Sequence, residues 1–262
     1  MEKFVTSEKN RFELIVCPNY QQLSTEITKR ILELSRIAIK NKGEFTIALS
    51  GGSTPKGLYL RMAEADFRNE FKWPSIHFFW GDEKWVPIAD IRNNYRMVAE
   101  AFLAKCDVPV ENIHPIKTKE ASPEVSANLY EADLISHFKL KKGEFPKFDL
   151  ILLGLGQDGH VASLFPGNPA LEEKKRLAVS VKAEEVEEPR VTLTFPVINH
   201  AQNIIFMVSG KEKATILNTV LGNGKHIEGM SSPAEWVQPD KGTLAWYADK
   251  SAMSILESKM PA

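Results

Sequence analysis

The chain has 262 residues, enough for one large α/β domain, and its 33 lysines and arginines balance 34 aspartates and glutamates, for a formal net charge of -1. This balance provides no overall field that attracts nucleic acid or an anionic membrane. We therefore expect no nucleic-acid partner, and any anionic ligand must be held by a local site. The composition does not indicate an oligomeric state.

The two cysteines and the N-terminal residues indicate the cellular compartment. Cys17 and Cys106 are far apart and match neither a C-x-x-C pair nor a zinc spacing, which favours buried thiols in a reducing compartment over a disulfide. The first ten residues lack the apolar stretch of a signal peptide, and no apolar run is long enough to span a bilayer. We expect a soluble, cytoplasmic protein without a membrane partner.

Short runs of β-forming residues alternate with longer segments of helical period along the chain. The predicted strands cover residues 12–17, 45–49, 76–80, 148–153, 191–195, 204–208 and 243–247. The predicted helices cover residues 20–40, 57–65, 94–105, 123–140 and 212–221. This alternation predicts a single α/β domain over residues 1–262, with a mostly parallel sheet and helices on both faces.

Ligands of such sheets bind at the carboxyl ends of strands, in the loops that follow them. Polar loops follow the predicted strands at residues 50–55, 81–87, 154–160 and 210–213.

The first of these loops begins with Ser50 and joins a buried strand to a helix. Gly51 and Gly52 let a ligand approach the backbone, Ser53 and Thr54 offer hydroxyls and N-cap oxygens, and the proline that follows suits a first helical turn. Such a loop can aim N–H groups at an anion, although an ordinary capped turn fits the segment equally well. The spacing is not that of a Walker A loop, so a nucleoside triphosphate is not implied.

Residues 154–159 match G-x-G-x-x-G after a strand, a pattern of dinucleotide-binding loops. That pattern requires a long helix to begin at the glycines, and Pro166 and Pro169 interrupt the chain soon afterwards. We therefore expect no dinucleotide. The glycines instead predict a tight turn that presents Asp158 and His160.

His160 is the predicted general base. It follows an apolar strand, lies in a glycine turn and has a carboxylate two residues earlier, and imidazole is the side chain best suited to deprotonating water near neutral pH. No second histidine or cysteine lies at ligand spacing, so we expect no metal. The histidines that lack such a setting are predicted to be structural: His77, His114, His137, His200 and His226.

Charged residues near the strand ends could hold an anion. Asp82 and Glu83 could be paired carboxylates, but a cap or salt bridge is at least as compatible with their adjacency. Lys84 follows them directly. Other cations that could clamp a phosphate are Arg92, Arg190 and Lys213. Each alone is an ordinary surface charge, and only their convergence on one sheet edge would form a site.

Together these loops resemble the 6-phosphogluconolactonase family, in the order ALSGGSTP, FFWGDEKWVP with NNY, FDLILLGLGQDGHVASLFPG, and PRVTLT leading to FMVSGKEKA. The resemblance runs from about residue 45 to residue 214 and continues more weakly to the tail. It implies a Rossmann-like α/β fold shared with glucosamine-6-phosphate deaminases, hydrolysis of a small sugar-phosphate lactone, and no cofactor. It also implies that His160 is the general base and that the phosphate lies near the GGSTP loop, Arg190 and Lys213.

The chain departs from the family pattern at two points. The family commonly has Asp-Glu-Arg where this chain has Asp82-Glu83-Lys84, and Ser-Asn-Tyr where it has Asn93-Asn94-Tyr95. Lysine lacks the planar fork of arginine, so position 84 can supply a point cation but no bidentate contact. Asn94 remains among the expected substrate contacts.

The expected mechanism is hydrolysis by activated water. His160 takes a proton from water, Asp158 orients the imidazole or the turn, and Lys84, Arg92 or loop N–H groups stabilise the oxyanion. A serine nucleophile is not expected, because the chain has no G-x-S-x-G segment.

Two alternatives stand beside this hypothesis. A glucosamine-6-phosphate deaminase would need a glutamate at the position that Phe165 occupies, to orient its histidine. A non-catalytic sugar-phosphate sensor would normally carry a DNA-binding module, and the residues before position 45 contain no helix-turn-helix pattern.

Overall fold

The computed structural model describes residues 2–5, 12–183, 187–222 and 232–256. Its strands are β1 (Glu2–Val5), β2 (Glu13–Cys17), β3 (Phe45–Leu49), β4 (Ile76–Trp80), β5 (Asp82–Lys84), β6 (Ile113–His114), β7 (Leu150–Leu153), β8 (Ala178–Val181), β9 (Arg190–Leu193), β10 (Asn203–Val208) and β11 (Thr243–Asp249). Its α-helices are α1 (Tyr20–Lys42), α2 (Ser53–Met62), α3 (Ala65–Arg68), α4 (Asn94–Ala101), α5 (Pro123–Phe138), α6 (Phe195–Asn199), α7 (Ala214–Leu221) and α8 (Lys250–Met253). No helix within these ranges is long and apolar enough to cross a membrane.

Within the described residues, the main sheet has eight strands in the order β1-β2-β11-β10-β7-β3-β4-β6. All neighbouring strands pair in parallel except β1 and β2, which pair antiparallel. Every residue of β3 and of β7 is buried, as expected for central strands of a parallel sheet covered on both faces. The predicted Rossmann-like α/β class with a mostly parallel sheet is confirmed.

The order of the central strands determines where a ligand can bind. From β3 the chain continues outward to β4 on one side, whereas from β7 the sheet continues to β10 on the other. Neighbouring strands whose connections leave in opposite directions open a crevice at their carboxyl ends. The loops after Leu49 and Leu153, which contain the GGSTP and His160 segments, therefore meet at this crevice.

A second sheet of three strands, in the order β5-β9-β8, is antiparallel. The prediction that residues 191–195 form a strand of the parallel sheet is wrong, because that strand is β9 of the small sheet and Phe195 begins α6. Part of the predicted loop 81–87 is strand β5, separated from β4 only by Gly81. An apolar alternation shows that a segment is extended but not which sheet it joins.

Several predicted boundaries also differ from the structure. Helix α2 begins at Ser53, four residues before the prediction, and α4 ends at Ala101, followed by a 3-10 turn. The predicted helix 212–221 begins only at Ala214, after a 3-10 turn at Lys211–Lys213. Helix α1 begins at the predicted residue and ends two residues later, with Asn19 as its N-cap and Gly43, with φ 89°, as its C-cap.

Candidate active site

A cavity of about 480 Å³ lies at the carboxyl ends of β3 and β7. Most predicted site residues line it: Ser50, Gly51, Gly52, Ser53, Thr54, Asp82, Lys84, Asn94, His160, Arg190 and Lys213. The fold thus brings together residues that are distant in sequence, since Ser50 and Lys213 are 163 positions apart. Asp158 and Arg92 are the predicted site residues that do not line the cavity.

The loop from Ser50 presents the start of α2 to the cavity. Gly52 is the N-cap residue, with φ 103°, and no side chain of the described residues caps the helix. The expectation that Ser53 or Thr54 caps it is therefore wrong, because both already lie inside the first turn. The backbone N–H groups of this first turn have no acceptor within the helix, so they offer an anion site at the positive end of its dipole.

Contacts with Tyr59 and Asn94 hold the loop that begins at Ser50 in place. The Tyr59 hydroxyl accepts from the N–H of Ser50 at 3.0 Å and donates to its carbonyl at 2.7 Å. A Cβ on Gly51 would lie 2.1 Å from Oδ1 of Asn94, so only glycine allows these two segments to touch. The anchoring fixes the direction of the N–H groups before a ligand binds.

The segment from Gly156 to His160 forms a closed turn. The N–H of Gly156 donates to the carbonyl of His160 at 2.9 Å, and Gly159, with φ 84°, donates to the carbonyl of Gly156 at 3.1 Å. Among the described residues, the next helical element is a 3-10 turn at Pro169–Glu172, so no long helix starts at the glycines. The absence of a dinucleotide-type helix agrees with the prediction from Pro166.

Asp158 and His160 form a pair within this turn. Oδ1 of Asp158 lies 2.6 Å from Nδ1 of His160 and also accepts the backbone N–H of that residue at 3.1 Å. Burial acts to raise the pKa of Asp158, but the bonds from His160 outweigh it and the pKa falls below its ordinary value. An ionised Asp158 keeps the imidazole proton on Nδ1 and leaves Nε2 as the basic nitrogen.

Phe165 packs against the ring of His160. The two ring centroids are 4.6 Å apart, and Phe165 is buried. The guanidinium carbon of Arg190 lies 5.8 Å from the centroid of the same phenyl ring. Phe165 therefore supports both side chains by packing and supplies no carboxylate to the histidine.

Positive charge accumulates on one wall of the cavity. Lys84 of β5 and Arg190 of β9 are directly opposite each other in the antiparallel pair, and like charges in that position repel. Nε of Arg190 is buried without a hydrogen-bond partner among the described residues. Burial lowers the pKa of Lys84 and of Lys213. Within the described part of the chain, none of these cations forms a close ion pair, although Asp82 and Glu212 also line the cavity.

Lys84 is held by the start of α4. Its Nζ donates to the carbonyl of Arg92 at 3.1 Å and lies 3.5 Å from Oδ1 of Asn94. Glu83 beside it accepts the backbone N–H groups of Asn94 at 2.7 Å and Tyr95 at 2.8 Å. Of the alternatives for Glu83, the structure thus favours a buried helix cap over a catalytic carboxylate.

Asp82 lines the cavity and accepts the Ser163 hydroxyl at 2.6 Å. This bond ties the small sheet to the segment that follows His160.

The guanidinium of Arg92 does not reach the cavity. It forms two hydrogen bonds with Asp90, at 3.0 and 2.8 Å, and also contacts Glu188. The carboxylates of Asp90 and Glu188 thus hold the guanidinium away from the cavity. The position of Arg92 in the sequence does not indicate this direction. Arg92 contributes to the site through its backbone carbonyl, which holds Lys84.

Some cavity residues were not singled out from the sequence: Gln157, Ala162, Ser209 and Glu212. Gln157 and Glu212 lie within polar loops that the sequence did indicate, but nothing in their type distinguished them. The Ser209 hydroxyl donates to Asp249 at the end of β11. This contact could not be predicted from the sequence, because it depends on β10 and β11 being neighbours in the sheet.

The described histidines other than His160 do not line the cavity. His77, His114 and His137 lie near one another, His200 lies 3.4 Å from Asp240, and His226 lies outside the described residues.

The chain is similar to known proteins over most of its length. The family model for glucosamine-6-phosphate isomerases and 6-phosphogluconolactonases matches residues 18–246. A 6-phosphogluconolactonase of Synechocystis sp. is 43% identical over 230 residues, which cover 88% of this chain and 89% of that protein. The structure of a 6-phosphogluconolactonase from Trypanosoma cruzi has a TM-score of 0.82 at 30% identity and covers 96% of this chain and 98% of its own.

A monomeric glucosamine-6-phosphate deaminase shares the fold, with a TM-score of 0.74 at 19% identity over 92% of this chain and 99% of that one. The length of the family match and the identity to the Synechocystis protein show that the chain belongs to the glucosamine-6-phosphate isomerase/6-phosphogluconolactonase family.

Proposed function

We propose that this protein hydrolyses 6-phospho-D-glucono-1,5-lactone to 6-phospho-D-gluconate, the second step of the oxidative pentose phosphate pathway, without a cofactor. The observation that carries the proposal is the position of His160, paired with Asp158, in a cavity that Lys84, Arg190 and Lys213 also line. The relatives named as 6-phosphogluconolactonases support it.

The reaction needs a group that acts first as a general base and then as a general acid. Nε2 of His160 takes a proton from water as the water oxygen bonds to the lactone carbonyl carbon. The bond between that carbon and the ring oxygen then breaks, and the proton on Nε2 passes to the ring oxygen. Asp158 stabilises the imidazolium between these two steps through its bond to Nδ1. The products are the free carboxylic acid and a hydroxyl group, so all atoms of water are accounted for.

The developing oxyanion needs a positive partner. Lys84 lines the cavity and is fixed by the carbonyl of Arg92, so its ammonium is already oriented. A fixed charge in a buried site stabilises an oxyanion without further reorganisation. We assign this role to Lys84, with backbone N–H groups as the alternative donors.

The phosphate needs a site away from the reacting carbon. Arg190 and Lys213 line the cavity, and the first turn of α2 adds backbone N–H donors. Arginine binds a phosphate with two parallel hydrogen bonds, and the buried Nε of Arg190 would gain the partner that it lacks. We assign these groups to the phosphate.

The deaminase alternative is disfavoured by one contact. Phe165 lies against the His160 ring at the position where a deaminase would place its orienting glutamate. A phenyl ring can neither accept a proton nor orient the imidazole by a hydrogen bond.

A cytoplasmic location is part of the proposal. Cys17 and Cys106 are both free, and burial raises the pKa of each to about 11, so both remain protonated thiols at neutral pH. Such thiols are unreactive and fit a reducing compartment. Cell fractionation with an antibody against the chain tests the location, and recovery in a secreted fraction would refute it.

A substrate comparison tests the activity. The purified protein receives freshly made 6-phosphogluconolactone and, separately, glucosamine 6-phosphate. We expect acid release from the first above the spontaneous rate and ammonia from neither. Ammonia from the second substrate would identify a deaminase, and tight binding of both without turnover would identify a sensor.

A further inference from the structure

Three histidines from three separate elements meet under the edge of the main sheet. His77 is the second residue of β4, His114 ends β6, and His137 is the penultimate residue of α5. One ring nitrogen from each lies within 4.8 Å of the other two. His77 lies at the start of β4, whereas Lys84 and the cavity follow its end, so the cluster is separate from the proposed active site.

Two of the rings already have the spacing of metal ligands. Nδ1 of His77 lies 3.3 Å from Nε2 of His114. Nitrogen ligands about 2.0–2.1 Å from a tetrahedral zinc ion are roughly 3.4 Å apart. A ring nitrogen of His137 lies within 4.8 Å of this pair, and its approach to the same spacing would supply a third ligand.

Carboxylates face the outer nitrogens of the same two rings. Nδ1 of His114 lies 3.1 Å from Asp133, and Nε2 of His77 lies 3.8 Å from Glu44. Histidines that bind metal commonly donate their other N–H to a carboxylate, which fixes the tautomer and makes the ligating nitrogen more basic. The contact with Asp133 is within hydrogen-bond range, so Nε2 of His114 would carry the lone pair, whereas Glu44 is too far from His77 for a direct hydrogen bond.

His137 gives an independent sign of a missing partner. Its Nε2 is buried and has no hydrogen-bond partner among the described residues, which is costly for a polar atom. A simple hydrogen bond from His77 to His114 would satisfy those two rings and leave this nitrogen unpaired.

We propose that His77, His114 and His137 bind one zinc ion, with water as the fourth ligand. Imidazole nitrogens favour zinc over magnesium and calcium, which prefer oxygen. The side chains of His77 and His114 are 19% and 12% exposed, so the cluster lies near the surface. The ion links α5 to β4 and to the two-residue edge strand β6, and its expected effect is on stability.

Zinc titration of the chelator-treated, dialysed full chain tests the proposal. We expect one zinc per chain by elemental analysis, a higher unfolding temperature with zinc, and no effect of magnesium. Cobalt in place of zinc should give the visible absorption of a four-coordinate site.

Variants locate the ion. His77→Gln and His137→Gln should abolish this binding, and Asp133→Asn should weaken it roughly 10- to 100-fold by releasing His114. His200→Gln is the matched control, because that histidine also faces an aspartate but lies outside the cluster. His160→Gln removes the Asp158–His160 pair, the other place where zinc could bind. Zinc binding should persist in this variant.

Absence of zinc binding by the parent chain would overturn the proposal, and this result requires no variant to fold. Binding that survives in both His77→Gln and His137→Gln, or disappears in His160→Gln, would place the metal elsewhere. The readouts do not involve lactone hydrolysis, so they are independent of the proposed function.

Discussion

The carboxylate of Asp158 contacts both the side chain and the backbone of His160: Oδ1 lies 2.6 Å from the ring Nδ1 and 3.1 Å from the backbone nitrogen. The pair is only two residues apart, so the orientation of the imidazole is set locally by the turn. This arrangement needs Gly156, because a Cβ there would lie 2.2 Å from Nδ1 of His160.

Replacing Asp158 with asparagine tests the orienting role. The amide keeps the size of the side chain and can still accept the backbone N–H, but it carries no charge to stabilise the imidazolium. We expect kcat to fall roughly 10- to 100-fold, less than the loss for removing the base itself, with KM little changed. Steady-state kinetics measure this, and a kcat within twofold of the parent value would show that the charge is not used.

Gly156→Ala tests the close packing of the turn. The new methyl group would meet both His160 and Asp158, at 2.2 and 2.4 Å, and displace the pair. We expect kcat to fall at least tenfold, since small displacements of a catalytic group are costly. Gly81→Ala is the control, because its Cβ would meet only the carbonyl of Leu49 at 3.5 Å. Equal activities in the two variants would contradict the close contact.

Arg190 and Lys213 are tested by comparing two substrates. Charge-assisted hydrogen bonds contribute about 1.5–3 kcal/mol each, so alanine at either position should lower kcat/KM for the phosphorylated lactone roughly tenfold to a hundredfold. The slow rate with unphosphorylated gluconolactone should barely change. If both substrates lose activity equally, these side chains support the fold or the chemistry and the phosphate lies elsewhere.

The pH dependence of binding tests the charge on Lys213. Burial lowers its pKa below the usual 10.5, so it loses its proton and its attraction for phosphate at a lower pH than an exposed lysine. The affinity for 6-phosphogluconate should therefore fall as the pH rises through this pKa. Lys213→Arg stays charged and should show a shallower fall. Calorimetry at neutral pH and at pH about 10 compares them, and identical falls would contradict the assignment.

Much of the fold was predictable because central strands such as β3 and β7 are short, almost wholly apolar runs separated by segments of helical period. The site loops followed from the same pattern, since parallel strands end at one edge. The small antiparallel sheet was not predictable, because the pairing of Lys84 with Arg190 joins segments more than a hundred residues apart.

Side-chain direction was the second limit. Arg92 and Arg190 have the same charge and similar sequence settings, yet Arg92 turns outward to Asp90 while Arg190 lines the cavity. The histidine cluster shows the same limit, because the expectation of no metal was based on spacing along the chain. His77 and His114 are 37 residues apart and meet only because β4 and β6 pair.

The most direct test of the account is the turnover of 6-phosphogluconolactone by His160→Ala and His160→Asn, corrected for spontaneous hydrolysis. A positioned general base contributes about 10²–10⁴-fold, so we expect kcat to fall roughly 100-fold or more while the unfolding temperature stays near that of the parent. A folded variant that keeps kcat within a few-fold of the parent value would contradict the assignment of His160 as the base.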